Sequence, residues 1–188
     1  MMSFTQVNNY PVWRSLIDVS DVDLSNESMV KQLNRPAKYR LSITNPGAAR
    51  VADYLKSPEF KDKVIDTLRT FKNISSIYPN NILDNLKDHT DLSFSFCRQT
   101  FDNHPLHIDD KTSVSQGLIY FDKEHVSDHS TRVYPHYPVK TVMLEGNTTA
   151  GNGLLILNTD NSWHEGGNLA NDARYFLIYT LSLKIGAK

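Results

Sequence analysis

The sequence predicts a mainly β protein with supporting helices in its first half. Many short apolar runs, separated by turn residues, follow residue 90 and are typical of a sandwich or barrel. Helical spacing of apolar residues is confined to the first half. The length of 188 residues, with 39% hydrophobic and 22% charged residues, suits one globular domain. We therefore predict a single domain, with 1–90 as supporting strands and helices and 91–188 as the core.

The first half mixes strand and helix signals. Residues 12–18 and 39–43 read as short strands. Apolar residues at helical spacing then run over 51–71, and Ser57-Pro58 is expected to split this stretch because proline suits the first turn of a helix. A shorter helix is predicted over 81–87.

The second half reads as strands. Apolar side chains alternate with small ones over 92–97, which is the period of a half-buried strand. Further strands are predicted at 117–121, 140–144, 153–157 and 175–183, each bounded by turn residues. The polar segment 123–139, which holds three histidines, reads as a long loop.

Composition excludes several classes of protein. Cys97 is the only cysteine, so no internal disulfide can form. The balance of 20 Lys+Arg against 21 Asp+Glu gives no broad electrostatic reason to bind nucleic acid. No apolar run reaches the roughly 20 residues of a membrane span, and the first nine residues lack the basic flank and apolar stretch of a signal peptide. We expect a cytoplasmic protein that binds neither nucleic acid nor membrane.

Two His-x-Asp tripeptides are candidate metal-binding motifs. In extended backbone, residues i and i+2 point to the same side and can chelate one ion. His89-Thr90-Asp91 lies where a helix is expected to give way to a strand, so its polar groups suit a turn. His107-Ile108-Asp109 follows a strand and a short turn containing Pro105. The second tripeptide is therefore the better candidate, although the spacing alone is weak evidence.

Two residues near the C-terminus strengthen this choice. His164 follows the apolar run 153–157, and Arg174 stands at the head of the apolar run 175–181. A guanidinium that enters an apolar strand needs a carboxylate partner, because a buried unpaired charge is costly. That partner is either a protein side chain or a ligand, and arginine suits bidentate carboxylate binding.

The combination of His107-Ile108-Asp109, His164 and Arg174 resembles the signature of the Fe(II)- and 2-oxoglutarate-dependent oxygenases. Residues 118–122 resemble the strand after the His-x-Asp motif in the prolyl-hydroxylase-like branch, and residues 153–157 resemble the strand that leads to the distal histidine. The resemblance covers about residues 92–184 and implies a double-stranded β-helix core, which is a cupin-like jelly roll.

The resemblance also implies roles for individual residues. Three would bind Fe(II) and form the catalytic centre: His107, Asp109 and His164. Arg174 would pair with the distal carboxylate of 2-oxoglutarate, and Tyr120 would donate a hydrogen bond to it. Where the branch has a further tyrosine on the first strand, this chain has Arg98 and Gln99, of which we predict Arg98 as a cosubstrate ligand.

The activity that the resemblance implies is hydroxylation of an unactivated C–H bond in a peptidyl or small-molecule substrate, with succinate and CO₂ as co-products. The cofactors would be Fe(II) and 2-oxoglutarate, with ascorbate as a candidate reductant. Two alternatives stay open: a jelly-roll binding or structural protein in which these residues are incidental or hold a different metal, and a cupin-type enzyme that uses another metal without 2-oxoglutarate. A cupin usually has more histidines in its first motif, and a structural jelly roll has no need of Arg174.

Overall fold

The computed structural model describes residues 3–7, 10–14, 16–33, 38–71, 74–78, 80–100, 105–110, 112–135, 141–167, 169 and 172–184. The strands of the first half are β1 (Ser3–Val7), β2 (Tyr10–Arg14), β3 (Met29–Gln32) and β4 (Lys38–Leu41). The later strands are β5 (Thr90–Thr100), β6 (Ser113–Tyr120), β7 (Thr131–Val133), β8 (Leu144–Glu145), β9 (Gly153–Leu157), β10 (His164–Gly166) and β11 (Ala173–Leu183). The helices are α1 (Pro46–Lys56), α2 (Pro58–Arg69), α3 (Ile74–Ile77), α4 (Asn80–Asp84) and α5 (Leu86–His89).

The predicted break at Ser57-Pro58 is confirmed, and Ser57 ends one helix and begins the next. Its hydroxyl donates to the Tyr54 carbonyl at the end of α1, at 2.6 Å, and accepts from the Phe60 amide in the first turn of α2, at 3.2 Å. Ser57 therefore satisfies otherwise unpaired backbone groups on both sides of the break. None of the helices in the described part of the chain has the length and apolar character needed to cross a membrane.

Two antiparallel sheets form the body of the protein. The larger sheet has the order β1-β2-β9-β6-β11-β5-β4-β3, and the smaller one has the order β10-β7-β8. The predicted mainly β jelly-roll core with supporting helices is therefore confirmed. The first half supplies four strands of the larger sheet as well as the helices, so the sheet combines both halves of the chain.

The two faces of the larger sheet have different partners. On the outer face, β11 and its neighbours pack against α1 and α2, and the Tyr179 ring meets the Phe60 ring edge-on at 5.2 Å. On the inner face, Leu154 and Ile156 pack against Val133 of the smaller sheet. Side chains alternate along a strand, so every second residue of β5, β6 and β11 faces inward. Of the functional side chains described below, Gln99, Tyr120 and Arg174 belong to that face.

Gly117 gives a prediction about the packing of the outer face. It lies opposite Tyr179 in the β6–β11 register, and a Cβ atom at Gly117 would stand 1.9 Å from Cζ of Tyr179. Because Tyr179 is fully buried, its ring has no space into which to move. We expect Gly117→Ala to lower the free energy of unfolding by about 2 kcal/mol or more, measured by urea denaturation.

The control for this prediction is a double-mutant cycle with Tyr179→Leu. In the Leu background the ring is gone, so Gly117→Ala should cost much less than in the wild type. An equal cost in both backgrounds would contradict the steric explanation.

The structure corrects several predictions for strands and loops. The strand predicted at 140–144 is reduced to Leu144–Glu145, with 140 outside the described residues. The predicted loop 123–139 contains a 3₁₀ turn, Ser127–His129, and strand β7, while 136–139 lie outside the described residues. Strands β7 and β10 have only three residues each, which is too few for a periodic sequence pattern. They are strands because they pair with each other across a long stretch of chain, and the sequence alone does not show that pairing.

Candidate metal and carboxylate site

His107 and His164 lie side by side on neighbouring segments of backbone. Each donates its amide hydrogen to the carbonyl of the other, at 2.9 Å in both cases. The segment that carries His107 thereby continues the smaller sheet beyond β10. Because this mutual pair fixes the two backbones, the imidazole rings face each other with centroids 4.3 Å apart. Asp109, two residues after His107, projects to the same place.

The three side chains offer donor atoms that could bind a divalent metal. Nδ1 of His107 is 2.8 Å from the Pro105 carbonyl, and Nδ1 of His164 is 2.9 Å from the Ser162 carbonyl. These contacts favour the neutral tautomer that carries its hydrogen on Nδ1, so the lone pair on Nε2 is available for a metal. Both Nε2 atoms lie 3.7 Å from oxygens of Asp109.

The cluster fits one ion. Ligand atoms of His107, Asp109 and His164 all lie within 4.8 Å of one another, which is compatible with bonds of about 2 Å to a shared centre. Two histidines and one carboxylate on one side of an ion leave the opposite positions open, and this donor set suits non-haem Fe(II). The part of the chain that the structure describes holds no other such group of metal-binding side chains.

The carboxyl group of Asp109 is held in its ionised form. Burial acts to raise its pKa, but the neighbouring His107, then His164 and Lys38, act in the other direction. The net result is a pKa below the usual value for an aspartate. Asp109 therefore presents a negative charge to a cation throughout the neutral pH range.

Arg174 lies deep in the inner face of the larger sheet and is only 2% exposed. Its Nη2 and Nε donate to Oε1 of Gln99, at 2.9 and 3.2 Å, and its Nη1 donates to the His129 carbonyl at 2.8 Å. All these acceptors are neutral. Burial lowers the pKa of Arg174, but a guanidinium stays protonated in proteins. Among the described residues, the guanidinium of Arg174 therefore has no carboxylate as a hydrogen-bond acceptor. This is the arrangement expected of an arginine that binds a carboxylate ligand.

Tyr120 stands on the same face as Arg174. It lies opposite Phe176 in the β6–β11 register, and its hydroxyl accepts a hydrogen bond from the Thr131 amide at 3.2 Å. Its own hydroxyl proton remains available for donation to a ligand. A Cβ atom at Gly146 would come within 2.6 Å of this hydroxyl, so the glycine leaves the space that the tyrosine occupies.

A narrow cavity of about 10 Å³, partly open to solvent, lies between His164 and Arg174. Its lining includes both sheets: Lys38, Gln116, Leu118, Thr131, His164, Gly166, Arg174, Phe176 and Ile178. The metal-binding cluster therefore borders the cavity through His164, and Arg174 borders it as well.

The structure does not bring Arg98 to this cavity. Arg98 lies opposite Tyr175 in the β5–β11 register, on the face turned away from Arg174. Its guanidinium contacts the Tyr175 hydroxyl at 3.2 Å and the Met29 sulfur at 3.4 Å. Because side chains alternate along β5, the neighbouring Gln99 occupies the inner face instead. This geometry removes Arg98 from the candidate cosubstrate ligands.

The structure adds to the site two residues, Lys38 and His129, that the sequence analysis did not indicate. Lys38 of β4 lines the cavity, and His129 supports Arg174 from behind through its carbonyl. The His129 ring is itself held by Asp122, with Nδ1 3.0 Å from Oδ2. Lys38 reaches the cavity because β4 pairs with β5. Sequence periodicity does not give the register of that pairing, so the sequence carried no usable signal for Lys38.

The remaining histidines lie apart from the metal-binding cluster or outside the described residues. His89 is the last residue of α5, and its carbonyl accepts from the Lys184 amide. His125 lies 3.6 Å from Glu145. His104 and His136 lie outside the described residues. Within the described structure, only His107 and His164 of the histidines contribute to the cluster.

Cys97 shares the inner face but is chemically quiet. The thiol is completely buried, and burial raises its pKa to about 11. A thiol in this state is inert as a nucleophile at neutral pH. The cysteine is thus a packing residue beneath Phe176 and Tyr120.

Comparison with known proteins relates this geometry to solved structures. No protein-family model and no curated protein sequence matches the chain. A prolyl-4-hydroxylase from Pseudomonas putida is 14% identical, with 94% of this chain and 93% of that chain covered at a TM-score of 0.58. A prolyl hydroxylase from Trichoplax adhaerens, solved with a peptide fragment of the hypoxia-inducible factor oxygen degradation domain, is 14% identical, with 93% and 84% covered at 0.58.

A third structure extends the same likeness. The viral collagen prolyl hydroxylase of Paramecium bursaria Chlorella virus 1, solved as a 2-oxoglutarate complex, is 10% identical, with 94% of this chain and 97% of that chain covered at a TM-score of 0.55. The coverage includes the N-terminal strands and helices as well as the core. The chain therefore has the fold of the prolyl hydroxylases over nearly its whole length.

Proposed function

We propose that the protein is an Fe(II)- and 2-oxoglutarate-dependent dioxygenase that hydroxylates a C–H bond of a peptidyl or small-molecule substrate. The observation that carries the proposal is the pairing of two features in one cavity. A cluster of two histidines and one aspartate borders the cavity, and a buried arginine with neutral acceptors lines it. A protein that only bound a metal would have no use for the arginine.

Each residue has a role that its contacts support. His107, Asp109 and His164 would hold the metal, with the imidazoles oriented by the Pro105 and Ser162 carbonyls. When bound, Fe(II) supplies the oxidising chemistry, in which O₂ and 2-oxoglutarate are consumed and succinate and CO₂ are released.

Two further residues would bind the cosubstrate. Arg174 would receive the distal carboxylate of 2-oxoglutarate, and the hydroxyl proton of Tyr120 would complete that end of the pocket. Gln99 and the His129 carbonyl hold the guanidinium in place before the ligand enters, so little ordering of this side chain is needed on binding. The apolar side chains of Leu118, Phe176 and Ile178 exclude water from the pocket.

The test is turnover of 2-oxoglutarate by the purified full chain with Fe(II) and ascorbate. We expect slow formation of succinate even without a primary substrate, measured by chromatography. Addition of a chelator, or omission of Fe(II), should remove this turnover because the metal supplies the oxidising step.

The alternative, a metal-binding jelly-roll protein without 2-oxoglutarate chemistry, gives a different result. Such a protein would bind a divalent metal, detected as thermal stabilisation, yet 2-oxoglutarate would neither bind nor be consumed. That result would overturn the proposal.

A further inference from the structure

The buried imidazole of His129 lies between two carboxylates. Its Nδ1 is 3.0 Å from Oδ2 of Asp122, and its Nε2 is 3.4 Å from Oδ2 of Asp172. The side chains of His129 and Asp122 are 8% and 16% exposed, whereas that of Asp172 is 76% exposed. Because an ion pair with a solvated carboxylate contributes little, Asp122 is the main anchor of the ring. The proposed reaction uses only the backbone carbonyl of His129 and leaves the imidazole without a role.

The two carboxylates belong to the chain segments that carry the proposed cosubstrate ligands. Asp122 follows Tyr120, the last residue of β6, by two residues, and Asp172 precedes Arg174 by two residues at the head of β11. Oδ1 of Asp172 also accepts from the Ala173 amide, at 2.6 Å, where β11 begins. The imidazole therefore connects the ends of two paired strands at the point where each presents a cosubstrate ligand.

The backbone next to the ring contacts the same two ligands. The His129 carbonyl accepts from Nη1 of Arg174 at 2.8 Å, and the Thr131 amide donates to the Tyr120 hydroxyl at 3.2 Å. Both backbone groups lie on the segment that begins with the 3₁₀ turn Ser127–His129 and enters β7. A restraint on the imidazole thus also restrains these two backbone groups.

The 3₁₀ turn packs closely against the chain that follows β10. A Cβ atom at Gly167 would stand 1.8 Å from the Asp128 carbonyl oxygen and 3.1 Å from the His129 amide nitrogen, so the turn has little freedom in that direction. Of the residues in the turn, Ser127 and Asp128 are exposed and His129 is buried. The His129 ring is therefore the buried anchor of the turn.

We propose that His129 is a positioning residue for cosubstrate binding, whose imidazole, anchored by Asp122, holds the carbonyl that orients Arg174 toward the distal carboxylate of 2-oxoglutarate. The inference rests on the proposed function and deepens it, because it adds a side chain that acts through Arg174 and does not touch the ligand. The imidazole contributes to affinity by restricting the guanidinium before the ligand arrives, which lowers the ordering cost of binding.

The experiment measures two affinities by calorimetry: that of the metal-free full chain for Mn(II), and that of the Mn(II)-loaded chain for 2-oxoglutarate. His129→Ala removes the ring and keeps the carbonyl, so we expect 2-oxoglutarate to bind about five- to tenfold more weakly. The affinity for Mn(II) should stay within about twofold of the wild type, because His129 is not a member of the metal-binding cluster in the described structure.

Two further variants separate positioning from a general loss of structure. His129→Asn places an amide N–H close to the position of Nδ1, so it can still donate to Asp122 and should bind 2-oxoglutarate within about threefold of the wild type. In the Arg174→Met background, His129→Ala should change the affinity for 2-oxoglutarate by less than about twofold, because the ring acts through the guanidinium.

The matched control is His125→Ala, which removes a histidine four residues earlier in the same polar segment. The His125 side chain is 43% exposed and lies 3.6 Å from Glu145, so this variant should leave both affinities unchanged. Asp122→Ala removes the anchor and keeps the ring, and it should weaken 2-oxoglutarate about as much as His129→Ala does. Combining the two substitutions should weaken binding no further, since the two side chains act as one unit.

Three results would overturn the inference. The first is equal affinity of the wild type and His129→Ala for 2-oxoglutarate, and the second is a full additive effect of His129→Ala in the Arg174→Met background. The third is a parallel loss of Mn(II) affinity, which would give the ring a structural role in the whole site. If His129→Ala does not fold, His129→Asn and Asp122→Ala, the latter also in the Arg174→Met background, provide the same test.

The wild type separates this inference from the proposed function. If the Mn(II)-loaded wild type binds no 2-oxoglutarate, the proposed function fails and this inference fails with it. If the wild type binds 2-oxoglutarate and both His129→Ala and Asp122→Ala bind it equally well, only this inference fails.

Discussion

The Asp109→Asn variant is expected to turn over 2-oxoglutarate at least about a hundredfold more slowly than the wild type. Asp109 provides the one negative charge among the three proposed metal ligands, and its oxygens lie 3.7 Å from both imidazole Nε2 atoms. Asparagine has the same shape without the charge, so the neutral site would hold a divalent ion more weakly. A hundredfold lower rate corresponds to a loss of about 2.7 kcal/mol in metal-dependent stabilisation of the transition state.

The matched control is Asp110→Asn, the same substitution one residue along. Asp110 is exposed, and its Oδ1 accepts from the Thr112 amide, a hydrogen bond that asparagine can also accept. We expect this variant to have wild-type turnover. Calorimetric titration measures the metal affinity, which should fall in Asp109→Asn. The thermal transition should stay cooperative, which shows that the variant has lost the ion and not the fold. Full activity of Asp109→Asn would contradict the assignment of the metal site.

The Arg174→Met variant should bind 2-oxoglutarate at least about thirtyfold more weakly than the wild type, since a buried charge partner is removed. Methionine fills much of the same volume but cannot pair with a carboxylate. The Gln99 side chain and the His129 carbonyl would lose their donors, so we also expect a loss of about 2 kcal/mol in the free energy of unfolding. Calorimetric titration of the Mn(II)-loaded variant measures the affinity.

Arg98→Met is the matched control, because Arg98 is one residue from Gln99 but faces the opposite side of the sheet. It should bind 2-oxoglutarate as the wild type does. Arg174→Lys keeps the charge but loses the planar fork, so its affinity should fall between the wild type and Arg174→Met. If Arg98→Met bound weakly and Arg174→Met bound normally, the assignment of the two arginines would have to be exchanged.

The sequence was sufficient to indicate the residues whose chemistry and spacing are local. His107 and Asp109 are two residues apart in extended backbone, and Arg174 is a charged residue at the head of a clearly apolar strand. Such patterns need no knowledge of tertiary structure. The choice between Arg98 and Gln99 was different, because it depends on which face of β5 is turned inward. That face is set by the register with β11, where Gln99 lies opposite Arg174.

The same distinction applies to the fold. The break between α1 and α2 was predictable because Ser57 and Pro58 act on adjacent turns. The contribution of the first half to the larger sheet was not predictable, since β4 and β2 find their partners far along the chain. Lys38 belongs to this second group, because its place in the cavity exists only through the pairing of β4 with β5.

The mutual backbone pairing of His107 and His164 has a consequence for how the site is assembled. Two proposed metal ligands that are distant in sequence are held by a pair of backbone amide hydrogen bonds, so their spacing is independent of the length of the chain between them. Insertions at an exposed turn in that interval would leave the distance between the imidazoles unchanged. The energetic cost of bringing the two histidines together is met during folding, and an arriving ion would find its nitrogen donors already in position.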